Sequence, residues 1–263
     1  MDVTTAIEAL ARRERWLIAA GLAAIAVLSW VYLFYLVYRM DIGATEMAGM
    51  GVAMPVLKPW TLTDAALMFV MWSVMMAAMM TPSAAPMILL HAAILRKRGP
   101  DEPLAGPTSA FTAGYLAVWA GFSAIATALQ WGLEQVALLS PMMVSTSPIL
   151  GGLLLIAAGF YQMTELKEVC LQHCRSPMHF IAEHWRKGTG GAFRMGLDHG
   201  IYCVGCCWVL MALLFVGGVM NLLWIAALAA FVLIEKLVRG GAVFGQVAGG
   251  AMIVAGVGMM AAW

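Results

Sequence analysis

Charged residues are scarce in this chain. Lys, Arg, Asp and Glu together make up 11% of its 263 residues, whereas 63% are hydrophobic. Soluble domains carry about 25% charged residues, so the composition argues against a water-soluble enzyme. A net charge of +1 offers no basic surface to a nucleic acid, which we do not expect as a partner. We therefore expect an integral membrane protein whose main partner is the lipid bilayer.

Segments that alternate between polar and apolar residues, as a membrane β-barrel needs, are absent as well. The chain contains instead apolar runs of the length that crosses a bilayer, about 20 residues. The sequence predicts an all-α fold: a single transmembrane domain over residues 1–263, with about seven helices and a polar loop over 166–198. The expected spans are 16–38, 63–95, 108–133, 148–166, 199–217, 219–238 and 241–262.

The basic residues indicate how this bundle is oriented. Lys and Arg concentrate in cytoplasmic loops of membrane proteins. If the N-terminus is cytoplasmic and seven helices follow, thirteen of the 15 Lys and Arg fall on the cytoplasmic side. Lys236 is among them, and Glu235 is expected beside it at the inner end of a helix. This predicts a cytoplasmic N-terminus, a cytoplasmic 166–198 loop and a C-terminus on the outer side.

Potential soft metal ligands are concentrated in one part of the chain. The chain has ten Cys and His residues, five of each, and nine of the ten lie between positions 170 and 207. With the orientation above, none of them lies on the outer side. Thiols are kept reduced in the cytosol, which argues against a disulfide framework. Metal binding, redox chemistry and simple packing remain as roles for these side chains.

Two clusters stand out within this region. Four side chains share one face of a predicted helix because they are spaced at i, i+4, i+7 and i+8: His199, Cys203, Cys206 and Cys207. Asp198 adjoins His199 and could orient its ring from a second shell. The preceding segment carries the other cluster, a Cys-x-x-His-Cys motif formed by Cys170, His173 and Cys174.

The second predicted helix carries a row of methionines, Met71, Met75 and Met79, in a chain with 22 Met. Thioether sulfur is a ligand that suits Cu(I), but Met is also a flexible filler of irregular cores. The row runs into Pro82 and Pro86, which remove two backbone donors. The sequence therefore predicts a kink or a break in the helix at this point.

Four segments of the chain carry a resemblance to a known bacterial family: 71–87, 161–164, 170–177 and 195–208. The family is one of unknown function, described as predicted metal-binding integral membrane proteins, and the resemblance covers roughly residues 60–262. It implies a multi-pass, metal-binding protein of the bacterial inner membrane, with its C-terminus in the periplasm. It also implies a small soluble protein, encoded nearby, as a possible partner.

Three functions remain open from the sequence. The first is handling of Cu(I), by transport, delivery or insertion: the cluster of His199, Cys203, Cys206 and Cys207 would hold the ion. The Cys-x-x-His-Cys cluster would load or sense it, and the Met71, Met75 and Met79 row would pass or share it. The second is a membrane metalloenzyme or a thiol oxidoreductase that uses Cys203 and Cys206 as a dithiol. The third is a structural zinc site in a scaffold or assembly subunit, with zinc replacing copper as the metal and ligands such as Cys170, Cys174, Cys203 and Cys206.

Overall fold

The computed structural model describes residues 3–49, 60–98, 103–139, 143, 147–238 and 240–262. Over these residues the chain is all-helical, without a β-strand, as the sequence predicts. The helices are α1 (Val3–Gly49), α2 (Leu62–Arg98), α3 (Ala105–Gln135), α4 (Pro148–Tyr161), α5 (Glu165–Arg175), α6 (Pro177–His184), α7 (Gly188–Ala212), α8 (Leu214–Gly217), α9 (Leu222–Leu237) and α10 (Gly241–Ala261).

Several of these helices are long and apolar enough to cross a membrane. Five qualify within the described ranges: Arg12–Met40, Leu62–Arg98, Ala105–Gln135, Gly188–Gly217 and Gly241–Ala261. A sixth span is obtained if α4 and α5, which meet at a bend of 66°, are counted as one broken span. These helices are compatible with a multi-pass membrane protein, and the orientation of the termini stays a prediction.

The predicted count of about seven spans depends on the segment 219–238. This segment forms α9, which has 16 residues. A helix of that length falls short of the roughly 20 residues that cross the hydrocarbon core without tilt or local thinning. Asn221 begins α9 by accepting a hydrogen bond on its side-chain oxygen from the backbone N–H of Trp224, at 3.2 Å.

The segment 166–198, expected as a polar loop, is mostly helical. It contains nearly all of α5, the whole of α6 and the first turns of α7. Thr164 caps α5 through its hydroxyl, which accepts a hydrogen bond from the backbone N–H of Lys167 at 3.3 Å. The helix α5 packs along α7, so this polar segment folds back onto the bundle.

Of the kink or break predicted at Pro82 and Pro86, the break is not found: α2 continues through both prolines as one helix. Two hydroxyl groups donate to the backbone of this stretch. The carbonyl oxygen of Met80 accepts from the Ser83 hydroxyl at 2.9 Å and from the Tyr115 hydroxyl at 3.2 Å. The bond from Tyr115 connects this part of α2 to α3.

Close packing of α3 against α7 places α7 in the middle of the bundle. A Cβ atom added to Gly114 would collide with the backbone oxygen of Phe193, and one added to Gly196 would collide with that of Phe111. Glycine at these crossing points lets the two backbones approach each other. The apolar window of α7 is 56% buried, against at most 33% in the other candidate spans, so α7 is the central helix.

We expect Gly114→Ala to destabilise the protein by about 1–3 kcal/mol, because the added methyl meets backbone that cannot move away without separating the helices. The matched control is Gly121→Ala on the same helix, where nothing lies within 4 Å of the added Cβ. That change should be neutral or stabilising, since alanine favours a helix by about 0.5–1 kcal/mol over glycine. Thermal unfolding in detergent measures both, and equal midpoints for the two variants would contradict the packing described.

Candidate metal centre

The predicted ligand face of α7 lies in the core of the bundle. Cys203, Cys206 and Cys207 are each 1% exposed, and His199 is 3% exposed. Met195 and Met211 extend the same face by one turn at either end, and both are fully buried. Six side chains with sulfur or imidazole groups therefore line one buried stripe.

A second helix brings another cysteine to this stripe. The thiol of Cys174, on α5, lies within hydrogen-bonding reach of the thiols of Cys203 and Cys206. We call these residues the thiol cluster: Cys174, Cys203, Cys206 and Cys207. Cys170 lies one turn earlier on α5, and its sulfur rests on the backbone of Gly205, where an added Cβ would come within 2.8 Å of it.

Within α7, the thiols of the cluster are directed at a backbone carbonyl. The sulfur atoms of Cys206 and Cys207 donate hydrogen bonds to the carbonyl oxygen of Cys203, at 3.1 and 3.0 Å. In the described ranges, no three or more His, Cys, Asp or Glu side chains are arranged to hold a metal ion. Coordination by these thiols therefore requires them to lose their protons and to turn away from the carbonyl.

Cys203 also contacts two polar groups that sequence reasoning missed. The ammonium group of Lys236, on α9, donates to the Cys203 sulfur at 2.8 Å and to the Ser83 hydroxyl at 3.3 Å. The Tyr115 hydroxyl, on α3, lies 3.1 Å from the same sulfur. Lys236 is 6% exposed and lies in the last turn of α9, so it is buried in the bundle and not in an exposed loop, and its side of the membrane stays a prediction. A buried cation beside a thiol favours the thiolate form of that cysteine.

The neighbour of Lys236 belongs to a separate buried ion pair. Glu235, expected at a membrane interface, is 1% exposed. One of its carboxylate oxygens accepts from the ammonium group of Lys167 at 2.5 Å and from the Gln162 amide at 3.1 Å. Gly245 leaves room for this carboxylate, since a Cβ there would collide with it. The pair joins the junction between α4 and α5 to α9 and α10, and so positions the helix that carries Cys174.

The predicted methionine row lies in the same core as the thiol cluster. Met71, Met75 and Met79 are between 0% and 3% exposed, and they belong to one continuous buried cluster with the cysteines of α7. The core around this row also holds Trp72, whose indole N–H donates to the Gln130 side chain at 2.8 Å. The row therefore lies in the interior of the bundle, a position compatible both with core packing and with a path for an ion.

Two other predicted site residues have partners outside the thiol cluster. His173 stacks on Tyr202 with ring centroids 4.1 Å apart, and its Nδ1 lies 2.9 Å from the Val169 carbonyl oxygen. The carboxylate of Asp198 lies 3.9 Å from the guanidinium group of Arg186. Nδ1 of His199 has no hydrogen-bond partner among the described residues, so Asp198 does not orient the ring through that nitrogen.

The comparisons with known proteins connect the chain with copper. A family model described as PpoB2, copper chaperone, matches residues 69–259. This region begins just before the methionine row and includes every cysteine of the chain. No curated protein matches, and no solved structure does. Because the match extends over well more than half of the chain, the protein belongs to the PpoB2 family of copper chaperones.

Proposed function

We propose that this protein is a membrane-embedded Cu(I) chaperone that holds its ion at the thiol cluster. The observation that carries the proposal is that the four thiols of the cluster, from α5 and α7, lie together. The buried ammonium group of Lys236 lies beside one of them, Cys203. Thiolate sulfur is the protein ligand that most favours Cu(I). Of the four, the three on α7 are fully buried, which keeps water away from the ion.

Charge balance supports a monovalent ion at this site. Cu(I) held by two thiolates carries a net charge of −1, which is costly in an apolar interior unless a cation compensates it. The ammonium group of Lys236 is positioned to do so, because it already contacts the Cys203 sulfur. Zn²⁺ held by four thiolates, as in a closed structural site, would carry a net charge of −2, which one ammonium group only half compensates.

The neighbouring side chains suggest how the ion is held and passed on. Tyr115 and Ser83 hold the group around Cys203 in place through the hydrogen bonds described above. The ligand set extends to His199, Cys170 and His173 at the edges of the cluster, and the Met71, Met75 and Met79 row is the route along which the ion is shared. In the same proposal the protein lies in the bacterial inner membrane with its N-terminus in the cytoplasm, and exchanges the ion with a small soluble partner.

We expect the purified native chain to retain Cu(I) after anaerobic loading and washing with a Cu(I) chelator, and a Cys203→Ser/Cys206→Ser variant to lose this tightly held ion. Cys170→Ser tests the edge of the ligand set. Its sulfur lies against the Gly205 backbone and not among the hydrogen-bonded thiols, so this variant should keep more of the ion than the double variant does. Metal content by mass spectrometry and folding by circular dichroism check both. Zinc as the only bound metal would favour a structural site, and a reversible dithiol without metal would favour an oxidoreductase; either result contradicts the proposal.

A further inference from the structure

His91, on α2, is a buried side chain that the thiol site does not use. It is 0% exposed, and neither of its ring nitrogens has a hydrogen-bond partner among the described residues. Its ring stacks on Phe111 with centroids 4.8 Å apart and lies 5.9 Å from Trp185. An imidazole placed among aromatic rings without any partner is costly, which points to a ligand that the ring is there to bind.

The neighbours of His91 follow from how α2 and α7 run past each other. Trp72 contacts Phe215 through their rings, 5.5 Å apart, and Lys236 joins Ser83 to Cys203. The helix α2 is therefore antiparallel to the segment formed by α7 and α8. Extending this alignment from the level of Ser83 and Cys203 by one helical turn puts Met87 at the level of His199. Extending it by two turns puts His91 at the level of Met195.

Contacts at the turn between α6 and α7 support this alignment. Trp185 lies beside His91, and the backbone N–H of the next residue, Arg186, donates to the Met195 sulfur at 3.4 Å. Phe111 links the two histidines, since its ring lies 4.8 Å from that of His91 and 6.1 Å from that of His199. Nδ1 of His199 is also buried and without a partner.

We propose that His91 and His199, with the thioethers of Met87 and Met195, form a second Cu(I) station beside the thiol cluster. It rests on the proposed function, because Cu(I) is the ion that both stations would share. Imidazole and thioether sulfur are soft, neutral ligands, so this station binds Cu(I) more weakly than the thiolates do. It lies one to two helical turns from Cys203, towards the ends of α2 and α7 that meet α6. A weaker station in that place passes ions to and from the stronger one.

The test uses full-length protein in which all five cysteines are replaced by serine, with Ag(I) as a redox-inert probe. We expect this background to keep about one Ag(I) per chain, held by the remaining imidazole and thioether ligands. Adding His91→Leu should abolish that binding, whereas adding His91→Met, which restores a soft ligand, should retain it. His184→Leu is the matched control, because Nδ1 of His184 already lies 3.1 Å from the Phe180 carbonyl oxygen. It should leave the binding unchanged.

Stability separates a ligand from a packing residue. In the otherwise native chain, His91→Leu should leave the melting temperature of the metal-free protein unchanged or higher, because it removes an unpartnered imidazole. The same variant should still bind the first Cu(I) at its thiols. Absence of Ag(I) from the five-serine background, equal binding by the Leu and Met variants, or a marked loss of stability would each overturn the second station. None of these results would affect thiol-dependent binding, which the Cys203→Ser/Cys206→Ser variant tests separately.

Discussion

Replacing Lys236 with Met is expected to weaken Cu(I) binding by about a thousandfold. Two opposite unit charges about 4 Å apart attract each other by about 4 kcal/mol at an effective dielectric constant near 20, which equals roughly three factors of ten in affinity. The Lys236 ammonium group lies 2.8 Å from the Cys203 sulfur, so it would stand close to any ion held there. Competition with a chromophoric Cu(I) chelator measures the change.

The fold should survive this substitution. Lys236 is buried, and methionine fills a similar volume without a charge to desolvate. The Ser83 hydroxyl keeps its hydrogen bond to the Met80 carbonyl. Lys187→Met, at an exposed position, is the matched control for loss of one positive charge. An affinity of Lys236→Met within a few-fold of the native value would show that the cation does not balance the charge of the site.

Replacing Glu235 with Gln is expected to lower the free energy of unfolding by about 3–5 kcal/mol, the usual effect of removing one partner from a buried ion pair. Both members of this pair are almost completely buried, with side chains 3% and 2% exposed. The remaining Lys167 charge would have no counter-charge at the junction of α4 and α5. Thermal unfolding in detergent measures the loss of stability. Because α5 carries Cys174, the substitution should also disturb the thiol cluster.

The double variant Glu235→Gln/Lys167→Met should recover most of this stability, since it leaves no unpaired charge. The Glu14–Arg96 pair provides a control on the same protein. Its side chains are 24% and 20% exposed, so Glu14→Gln should cost less than about 1 kcal/mol. Equal losses for Glu14→Gln and Glu235→Gln would mean that burial does not determine the strength of the inner pair.

Helical periodicity alone was enough to predict the face of α7. His199, Cys203, Cys206 and Cys207 recur at helical spacing, and the structure buries all four on one side. The apolar runs also predict most of the long helices, because a bilayer fixes the length of the helix that crosses it. Features that depend on one segment and on the membrane were thus accessible from the sequence.

The groups around Cys203 could not be predicted in this way. Lys236, Tyr115 and Ser83 come from three other helices, and no spacing in the sequence records which helices are neighbours. The sequence predicts that the adjacent residues Glu235 and Lys236 lie at the membrane–water interface, because they stand at the end of an apolar run. Their adjacency is the signal that could have identified them as buried functional residues. An acid and a base that are neighbours at the end of an apolar helix point in different directions, so each can have its own buried partner.

The different surroundings of Cys170 and Cys174 likewise could not be predicted without the tertiary structure. Both belong to one short motif, and spacing alone gives them equal weight. Tertiary packing places the Cys174 thiol beside Cys203 and Cys206, whereas the Cys170 sulfur rests against the backbone of Gly205. Two features lie at the junction of α4 and α5 that orients Cys174: the 66° bend and the buried pair of Lys167 and Glu235, whose two residues lie far apart in the sequence.

X-ray absorption at the copper edge tests the central claim most directly. The measurement compares the native chain, loaded anaerobically with one equivalent of Cu(I), with the Cys203→Ser/Cys206→Ser variant treated in the same way. Binding at the thiol cluster predicts a first shell made only of sulfur in the native protein and the loss of this all-sulfur shell in the folded variant. A first shell of nitrogen and oxygen, or an unchanged spectrum in the variant, would show that these thiols do not hold the ion.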